Sequence, residues 1–461
     1  MLTEDQAADI FSRIRRHSSA DELECIFYGG SSALTRFANN TIHQNVAEEN
    51  YAVSVRAVLG GRTARATSNK FDEESLKQVV KAAEELARVQ QPDPDLLPVA
   101  GPGHGLPPAQ ETPGRHFPQT AALTPDERAA GVGQMVAVAQ KHQLTAAGIF
   151  SSSEAVEGIF NSRGLNRWHR QTSAEISITM LGEDSSGWQK ENSPDVANLN
   201  SRELAEVAAR KAIESRTPRE VPPGKYTALL SPAAVLDLVG FLFFDFGGLA
   251  ILDQRSFLNN RIGTQLFGEN LSIWDDVAHP LQFGPAFDGE GVGRQKVQLV
   301  GNGVVKRLVY ARATAEKMKK SEYASTVGVI EPTGHGFPIP NEIGEAPMNI
   351  VFEPPPEPKT IEQMVESTER GILLTRLWYI REVDPYEKIL TGMTRDGTFL
   401  VEKGKLVSGV RNFRFNQSLI DLLSNVEEMS MPVRTSGEES FDMVVPAMKV
   451  RGFNFTEVTK F

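Results

Sequence analysis

The chain predicts an α+β fold. Residues 1–220 read as an N-terminal α/β domain, and residues 221–461 as a β-rich, mostly antiparallel C-terminal domain. Three observations predict this. Proline and glycine break the chain at two places. Between the breaks, a strand-strand-helix pattern occurs twice. Beyond the second break, short alternating apolar runs replace long helical periodicity.

The first copy of the pattern runs through Tyr51 to Thr67, where Val53, Val55, Ala57 and Leu59 alternate with their neighbours up to Gly60-Gly61 and alternation resumes. This spells two strands and a tight hairpin. A helix follows, with Asp72 as N-cap, Glu73 and Glu74 in its first turn, and Leu76, Val79, Val80, Ala83, Leu86 and Ala87 at helical spacing. Nine of the 27 prolines then fall between residues 92 and 125, together with Gly101, Gly103, Gly105 and Gly114, which marks a loop or linker. The next helix opens with Thr124, Pro125 and Glu127, an N-cap, a first-position proline and a capping box in four residues.

Sliding residues 37 to 60 by about 123 positions lays Phe37-Ala38-Asn39 on Phe160-Asn161-Ser162 and Val53-Ser54-Val55 on Ile176-Ser177-Ile178. The second copy also ends in a helix, capped by Asn200 and Glu203 and carrying Leu204, Val207, Ala208 and Ala212. Internal duplication and convergent patterning both fit this similarity. Val221-Pro222-Pro223-Gly224 marks the second break, ahead of a strand over 226–230.

A helix is expected next. Ser231 is its N-cap and Pro232 its first residue, and Val235, Leu236, Leu238, Val239, Phe241, Leu242, Phe243 and Phe244 carry it to Gly247. Strands are expected over 296–300, 304–310, 348–352, 372–380, 398–402 and 443–451. Pro354-Pro355-Pro356-Glu357-Pro358 forms a rigid linker before a short helix capped by Thr360 and Gln363.

Composition narrows the functional classes. With 40% hydrophobic and 23% charged residues, disordered, collagenous and coiled-coil classes are excluded. Acids outnumber bases by 11 and no basic patch is visible, so nucleic acid is disfavoured as a partner. The stretch 233–252 is apolar but holds Asp237 and Asp245, each costing about 2.5 to 3.5 kcal/mol at mid-bilayer, so no membrane span is expected. The lone cysteine, Cys25, and a start without a signal-peptide pattern point to the cytoplasm.

In order and spacing, several segments resemble the TldD/PmbA family, metallopeptidase-related proteins of which one member was also named a modulator of DNA gyrase. They are Arg36-Phe37-Ala38-Asn39-Asn40, Ile42-His43-Gln44, Leu59-Gly60-Gly61-Arg62 and Thr67-Ser68-Asn69 in the first half. In the second half they are Asp275-Asp276, residues 287–292, residues 299–304, Gly371-Ile372-Leu373-Leu374-Thr375 and Glu402-Lys403-Gly404-Lys405-Leu406. The resemblance implies an N-terminal α/β domain, a β-rich C-terminal domain, and assembly as homodimers or as a TldD–TldE heterodimer. It also implies, for the catalytic branch, a His-Glu-x-x-x-His helix early in the C-terminal domain and a later cysteine as third zinc ligand.

This chain departs there. The corresponding helix has no histidine, and Asp237 and Asp245 would stand about 12 Å apart along one helix axis, too far for one ion. Cys25 lies in the other domain. The segment carrying Asp237, Phe241, Phe244 and Asp245 is thus a degenerate metal-site helix, as in the PmbA/TldE branch, and no catalytic residue and no metal ligand is assigned. Zinc is expected only in a TldD-like partner.

Other chemistry is sparse. The eight histidines, His17, His43, His104, His116, His142, His169, His279 and His335, show no i, i+3 or i+4 pair. His335, in Thr333-Gly334-His335-Gly336, is expected to be a loop histidine bonding backbone carbonyls. Asp275, Asp276, Asp288 and Glu290 offer oxygen ligands for a hard cation, but Asp288-Gly289-Glu290-Gly291 reads more simply as a turn with its acids in solvent. Ser256 lacks a nucleophile elbow, and Gly289-x-Gly291-x-Gly293 lacks a strand-to-helix setting for phosphate. Cys25 is expected to be packing. Asp288, Glu290, Asn302 and His335 remain candidate ligand or cavity contacts.

The sequence thus reads as the non-zinc subunit of a cytoplasmic peptidase that handles unfolded or leader-bearing peptides, with a TldD-like catalytic partner and a peptide substrate. The alternative is a non-hydrolytic, self-associating peptide-binding or regulatory protein on the same fold.

Overall fold

The computed structural model describes residues 1–102 and 107–459; Gly103, His104 and Gly105 lie outside the described residues. The first half is a six-stranded antiparallel sheet in the order β3-β2-β1-β4-β5-β6, backed on one face by helices. Its elements are α1 (Glu4–His17), β1 (Glu22–Ala38), β2 (Thr41–Leu59), β3 (Arg62–Ser68), α2 (Glu73–Val89), a one-turn α3 (Pro118–Ala121), α4 (Pro125–Lys141), β4 (Thr145–Asn161), β5 (Asn166–Leu181), β6 (Ser186–Ser193) and α5 (Ser201–Glu214).

An α-β-β-β-α unit occurs twice, wider than the expected strand-strand-helix. β1 pairs with β4 antiparallel, and Ser31 sits opposite Glu154, its own equivalent 123 positions on. A pseudo-twofold axis therefore passes through the centre of the sheet. Each pair of helices covers a separate core, and the central strands β1 and β4 contribute to both. Cys25, Phe27, Val53 and Val55 meet α1 and α2, whereas Phe37, Phe150, Ile176 and Ile178 meet α4 and α5. The capping boxes at Thr3 with Gln6 and Thr124 with Glu127, and the Asp72 cap, start these helices as the sequence dictates. On β2, residues 41–52 have no strand on their outer side, because β3 pairs only from Val53 onward. His43, Glu48 and Glu49 lie along that edge.

Cys25 is fully buried between sheet and helices, and burial pushes its thiol up. We expect it to react with an aromatic disulfide reagent about a hundredfold more slowly in the native protein than in denaturant. Equal rates in the two would contradict this packing.

The proline-rich stretch is not a free linker. Val99 N–H donates to Glu22, Asn161 donates to Ala100 O, and Arg312 and Gln295 donate to the carbonyls of Pro98 and Pro108. The backbone at Pro108 passes so close to Gly293 that a Cβ there would lie 2.3 Å from the Pro108 carbonyl carbon. The stretch is a strap laid between the two halves.

The second half contains two sheets. One is mixed, in the order β10-β9-β8-β11-β18-β17, and the other runs β12-β7-β19-β15-β13-β14. Their strands are β7 (Gly224–Leu230), β8 (Ile273–Asp275), β9 (Val297–Gly301), β10 (Val304–Val305), β11 (Ile350–Phe352), β12 (Arg370–Asp384), β13 (Ile389–Glu402), β14 (Lys405–Gly409), β15 (Phe413–Ser418), β16 (Val426–Met429), β17 (Val433–Thr435), β18 (Met443–Val445) and β19 (Met448–Val458). β12 also pairs with β13, so β12, β7, β19, β15 and β13 close into a small barrel, with β16 on β19. Pairing is mostly antiparallel; β7–β12 and β11–β18 are parallel. The run expected at 304–310 is a strand only at its first two residues.

The helix expected from Pro232 to Gly247 is three pieces: α6 (Pro232–Val239), a 3₁₀ turn over Phe243–Phe246, and α7 (Gly248–Leu252). α6 stops at Gly240, whose α-carbon meets Ser440 so closely that a Cβ would lie 1.9 Å from the Ser440 hydroxyl. Asp245 then turns away to pair with Lys388 and accept from Phe257 N–H at 3.0 Å. Apolar periodicity alone did not show this break. No helix among the described residues is long and apolar enough to cross a membrane.

Candidate functional site

The two halves enclose a cavity of about 1260 Å³. One wall is β6 (Trp188 to Ser193) with Val207, Arg210, Lys211 and Glu214 of α5. The opposite wall is the mouth of the barrel, formed by Ser231, Pro232 and Ala233, Leu373 to Thr375, Phe399 and Lys405. Residues 113–117 of the proline-rich strap and Val433 to Ser436 close the ends. The topology explains why the cavity lies here. β7 and β12 run parallel with Leu230 beside Leu374, so both chains leave the barrel at the same end, and α6 begins there. Ser231 caps α6, its hydroxyl accepting from Ala234 N–H at 3.4 Å and donating to Thr375 O.

Charge in the lining runs against the acidic chain. Six cationic side chains, Arg115, Lys190, Arg210, Lys211, Lys405 and Arg434, face four carboxylates, Glu191, Glu214, Glu362 and Glu366. Lys190 bridges the halves through Gly437 O at 3.0 Å, and Asn192 through Asp442 at 2.6 Å. Burial pushes Lys211 down to about 7, while its ammonium donates to Trp188 O and Gln189 at 2.9 Å. Trp188 carries the Arg376 guanidinium 4.7 Å from its ring centre.

The head of α6 does not fit zinc. Its one side-chain donor, the Ser231 hydroxyl, is already committed to backbone partners, and Pro232 has no donor. Among the described residues no three His, Cys, Asp or Glu side chains gather into a metal-binding group. Asp237 is buried on the far side of α6, accepting from Leu377 N–H at 3.2 Å, and burial raises its carboxyl to about 7. Phe241 is half-buried after the helix end, and Phe244 is exposed and stacked on Phe337 with ring centres 6.5 Å apart. Asp237, Phe241, Phe244 and Asp245 are therefore not presented by one helix.

A second cavity, about 500 Å³, shares Gln282 and Arg434 with the first and reaches Glu157 of β4, Asp288, Arg294, Gly336 and Phe337. Here the solvent-facing turn expected at Asp288 and Glu290 is corrected: they are 3% and 2% exposed. Asp288 accepts from the N–H groups of Glu290, Val292 and Gly336 at 2.8 to 2.9 Å. Glu290 pairs with Arg312 at 3.2 Å. Burial holds both carboxyls above the usual range, and Asp288 raises Glu290 further.

His335 is also not the carbonyl-bonding loop histidine expected. Its ring lies between Thr333 Oγ1 at 3.0 Å and Asp275 Oδ1 at 2.9 Å, fully buried. Asp275 Oδ2 accepts from Met348 and Asn349 N–H. Burial opposes its ionisation, but the His335 ring and these donors outweigh burial and hold the carboxyl low. Asn302 lines neither cavity; it is the exposed first residue of the β9–β10 turn, with φ 49°, followed by Gly303 with φ 76°. Ser256 is buried, its hydroxyl donating to Asp245 O. Arg115, Trp188, Lys190, Lys211 and Arg434 were not singled out in the sequence. Only Arg115, a lone cation in a proline-rich stretch, left any local signal.

Three consecutive matches cover the chain: residues 23–87 to the PmbA/TldA metallopeptidase domain 1, residues 120–216 to the central domain, and residues 223–457 to the C-terminal domain. A protein of Methanocaldococcus jannaschii, MJ0231, is 28% identical over 59% of this chain and 62% of its own length, so the chain spans less than two thirds of that relative. The metalloprotease PmbA of Escherichia coli O157:H7 is 22% identical over 87% of this chain and 86% of its own. The crystal structure of TldE from Thermococcus kodakarensis superposes with a TM-score of 0.84 at 19% identity, covering 98% and 99% of the two chains, and so shares the fold. With the C-terminal match alone spanning more than half of the polypeptide, the chain belongs to the PmbA/TldD metallopeptidase family.

Proposed function

We infer that this chain is the zinc-free, peptide-holding subunit of a peptidase assembly whose metal comes from a TldD-like partner. The observation that supports this is the head of α6: it opens into a cavity large enough for several peptide residues, yet presents Ser231 and Pro232 in place of ligands. Backbone groups at the barrel mouth and the uncovered edge of β2 suit extended chains, whose main-chain hydrogen bonds are sequence-tolerant. That fits unfolded or leader-bearing peptides as substrates, and a cytoplasmic setting. The alternative, a self-associating protein that holds peptides without hydrolysis, differs in one measurable respect, its independence of a catalytic partner.

The chain purified alone is expected to contain no stoichiometric zinc and to cleave no unfolded peptide, whereas mixing with a TldD-like chain yields a complex that cleaves. Zinc and cleavage in the lone chain would refute the reading. A homodimer that binds peptide and gains no activity with any such partner would favour the alternative.

A further inference from the structure

We propose that Arg115 and Arg434 form a carboxylate-binding subsite in the wall of the large cavity, so that preferred peptides carry an acidic side chain or a free C-terminal carboxylate at that point. This rests on the peptide-holding role inferred above and specifies its ligand.

The carrying observation is an unbalanced buried charge. Arg115 is 4% exposed and lines the cavity, yet its guanidinium meets only backbone: its terminal nitrogens donate to Val277 O and Gly284 O, and Nε has no partner. Among the described residues no carboxylate pairs with it, in a chain carrying 59 acids against 48 bases. A guanidinium held out of water without an anion is costly, and burial alone pushes Arg115 down to about 10.

Its neighbour increases the imbalance. Arg434 lies over the Phe283 ring at 3.5 Å, donates to Asn192 at 2.7 Å, and pairs with Asp442 at 2.8 Å. Asp442 pairs with Arg434, on which Glu175 also acts, whereas Arg115 has no carboxylate partner among the described residues. Burial lowers Arg434 to about 10 despite Asp442, and Arg115 adds to the lowering.

The cation is also held in place. Arg115 O accepts from Thr172 N–H at 2.9 Å, and Phe117 N–H donates to Thr172 Oγ1 at 3.0 Å, so the strap is fastened to β5 at the arginine and two residues beyond it. A preorganised fork loses little freedom on meeting a planar carboxylate, and such charge-assisted bonds are roughly twice as strong as neutral ones. An amide in the same place supplies no charge.

The test is titration of the full chain with three fluorescent nine-residue peptides of one sequence: a central Glu with an amidated terminus, Gln in its place with an amidated terminus, and Gln with a free terminus. We expect one or both carboxylate peptides to bind at least about tenfold more tightly than the neutral one. Arg115→Met should abolish that preference, and Arg115→Lys should restore part of it. Equal binding of all three peptides overturns the subsite while leaving the cavity's role standing, and this comparison on the unmodified chain does not depend on how any variant folds. An Arg115→Met protein that melts lower and loses affinity for all three peptides equally makes Arg115 a structural tie and also overturns it. Failure of every peptide to bind would count against the peptide-holding role itself.

Discussion

Glu24→Leu is expected to lower the stability of the chain by about 3 to 5 kcal/mol, measured by urea unfolding at neutral pH. Glu24 is 1% exposed and lies between two guanidiniums. Arg56, equally buried, approaches it at 3.8 Å and donates to Thr63 at 2.9 Å; Arg65 pairs with it directly. Removing the carboxylate would leave two cations facing each other out of water, where each charge costs several kcal/mol. The consequence reaches beyond the first sheet, because Arg65 also donates to Ile339 O in the loop that carries Gly336 and Phe337 to the smaller cavity. A loss below about 1 kcal/mol would show the arginines to be hydrated and this account wrong.

Raising the pH from about 5.5 to about 8 is expected to destabilise the protein by about 1 to 3 kcal/mol, and Glu290→Gln to flatten that slope markedly. Burial raises Asp288 and Glu290 in the folded chain, Asp288 raises Glu290 further, and burial raises Glu345 to about 7. The direction follows from proton counting. A carboxyl raised on folding keeps its proton where the unfolded chain has already released it. The folded state is therefore favoured most below the ordinary carboxylate value, and the advantage is lost as pH climbs through the folded values. Asp237, raised by burial to about 7, acts in the same direction. Gln at 290 keeps an acceptor for Arg312 N–H but cannot ionise beside Asp288. Thermal melts of both proteins across that range are the measurement. Stability that rises with pH, or parallel slopes, would refute the burial-driven shifts.

Much of the fold was legible because its signals are local. Thr124 with Glu127, Thr360 with Gln363, and Asp72 each cap a helix within three residues, where the chain's own chemistry decides the outcome. The offset of 123 residues was visible from Phe37 against Phe160 and Val53 against Ile176, and it is the offset that relates β1 to β4. What stayed hidden depends on distant partners. Asp288 and Glu290 look like a solvated turn until Gly336 and Arg312 close over them, 48 and 22 residues away. His335 looks solitary because its carboxylate, Asp275, lies 60 residues upstream. The break after Val239 falls at Gly240, where Ser440 packs against the backbone, a contact no window of sequence contains. Arg115 stood out only as the lone cation of a proline-rich stretch; what distinguishes it is a missing counter-charge, and only the assembled molecule shows that.

The doubled first sheet has a final consequence. Two identical copies joined about a twofold axis must offer the rest of the molecule two identical rims. Within a single polypeptide that obligation lapses. β3 now grips the second half through Arg65, while its counterpart β6 has become a chamber wall of tryptophan, lysine and asparagine. Selection could thus reshape one rim for guests while the other kept its role as a clasp.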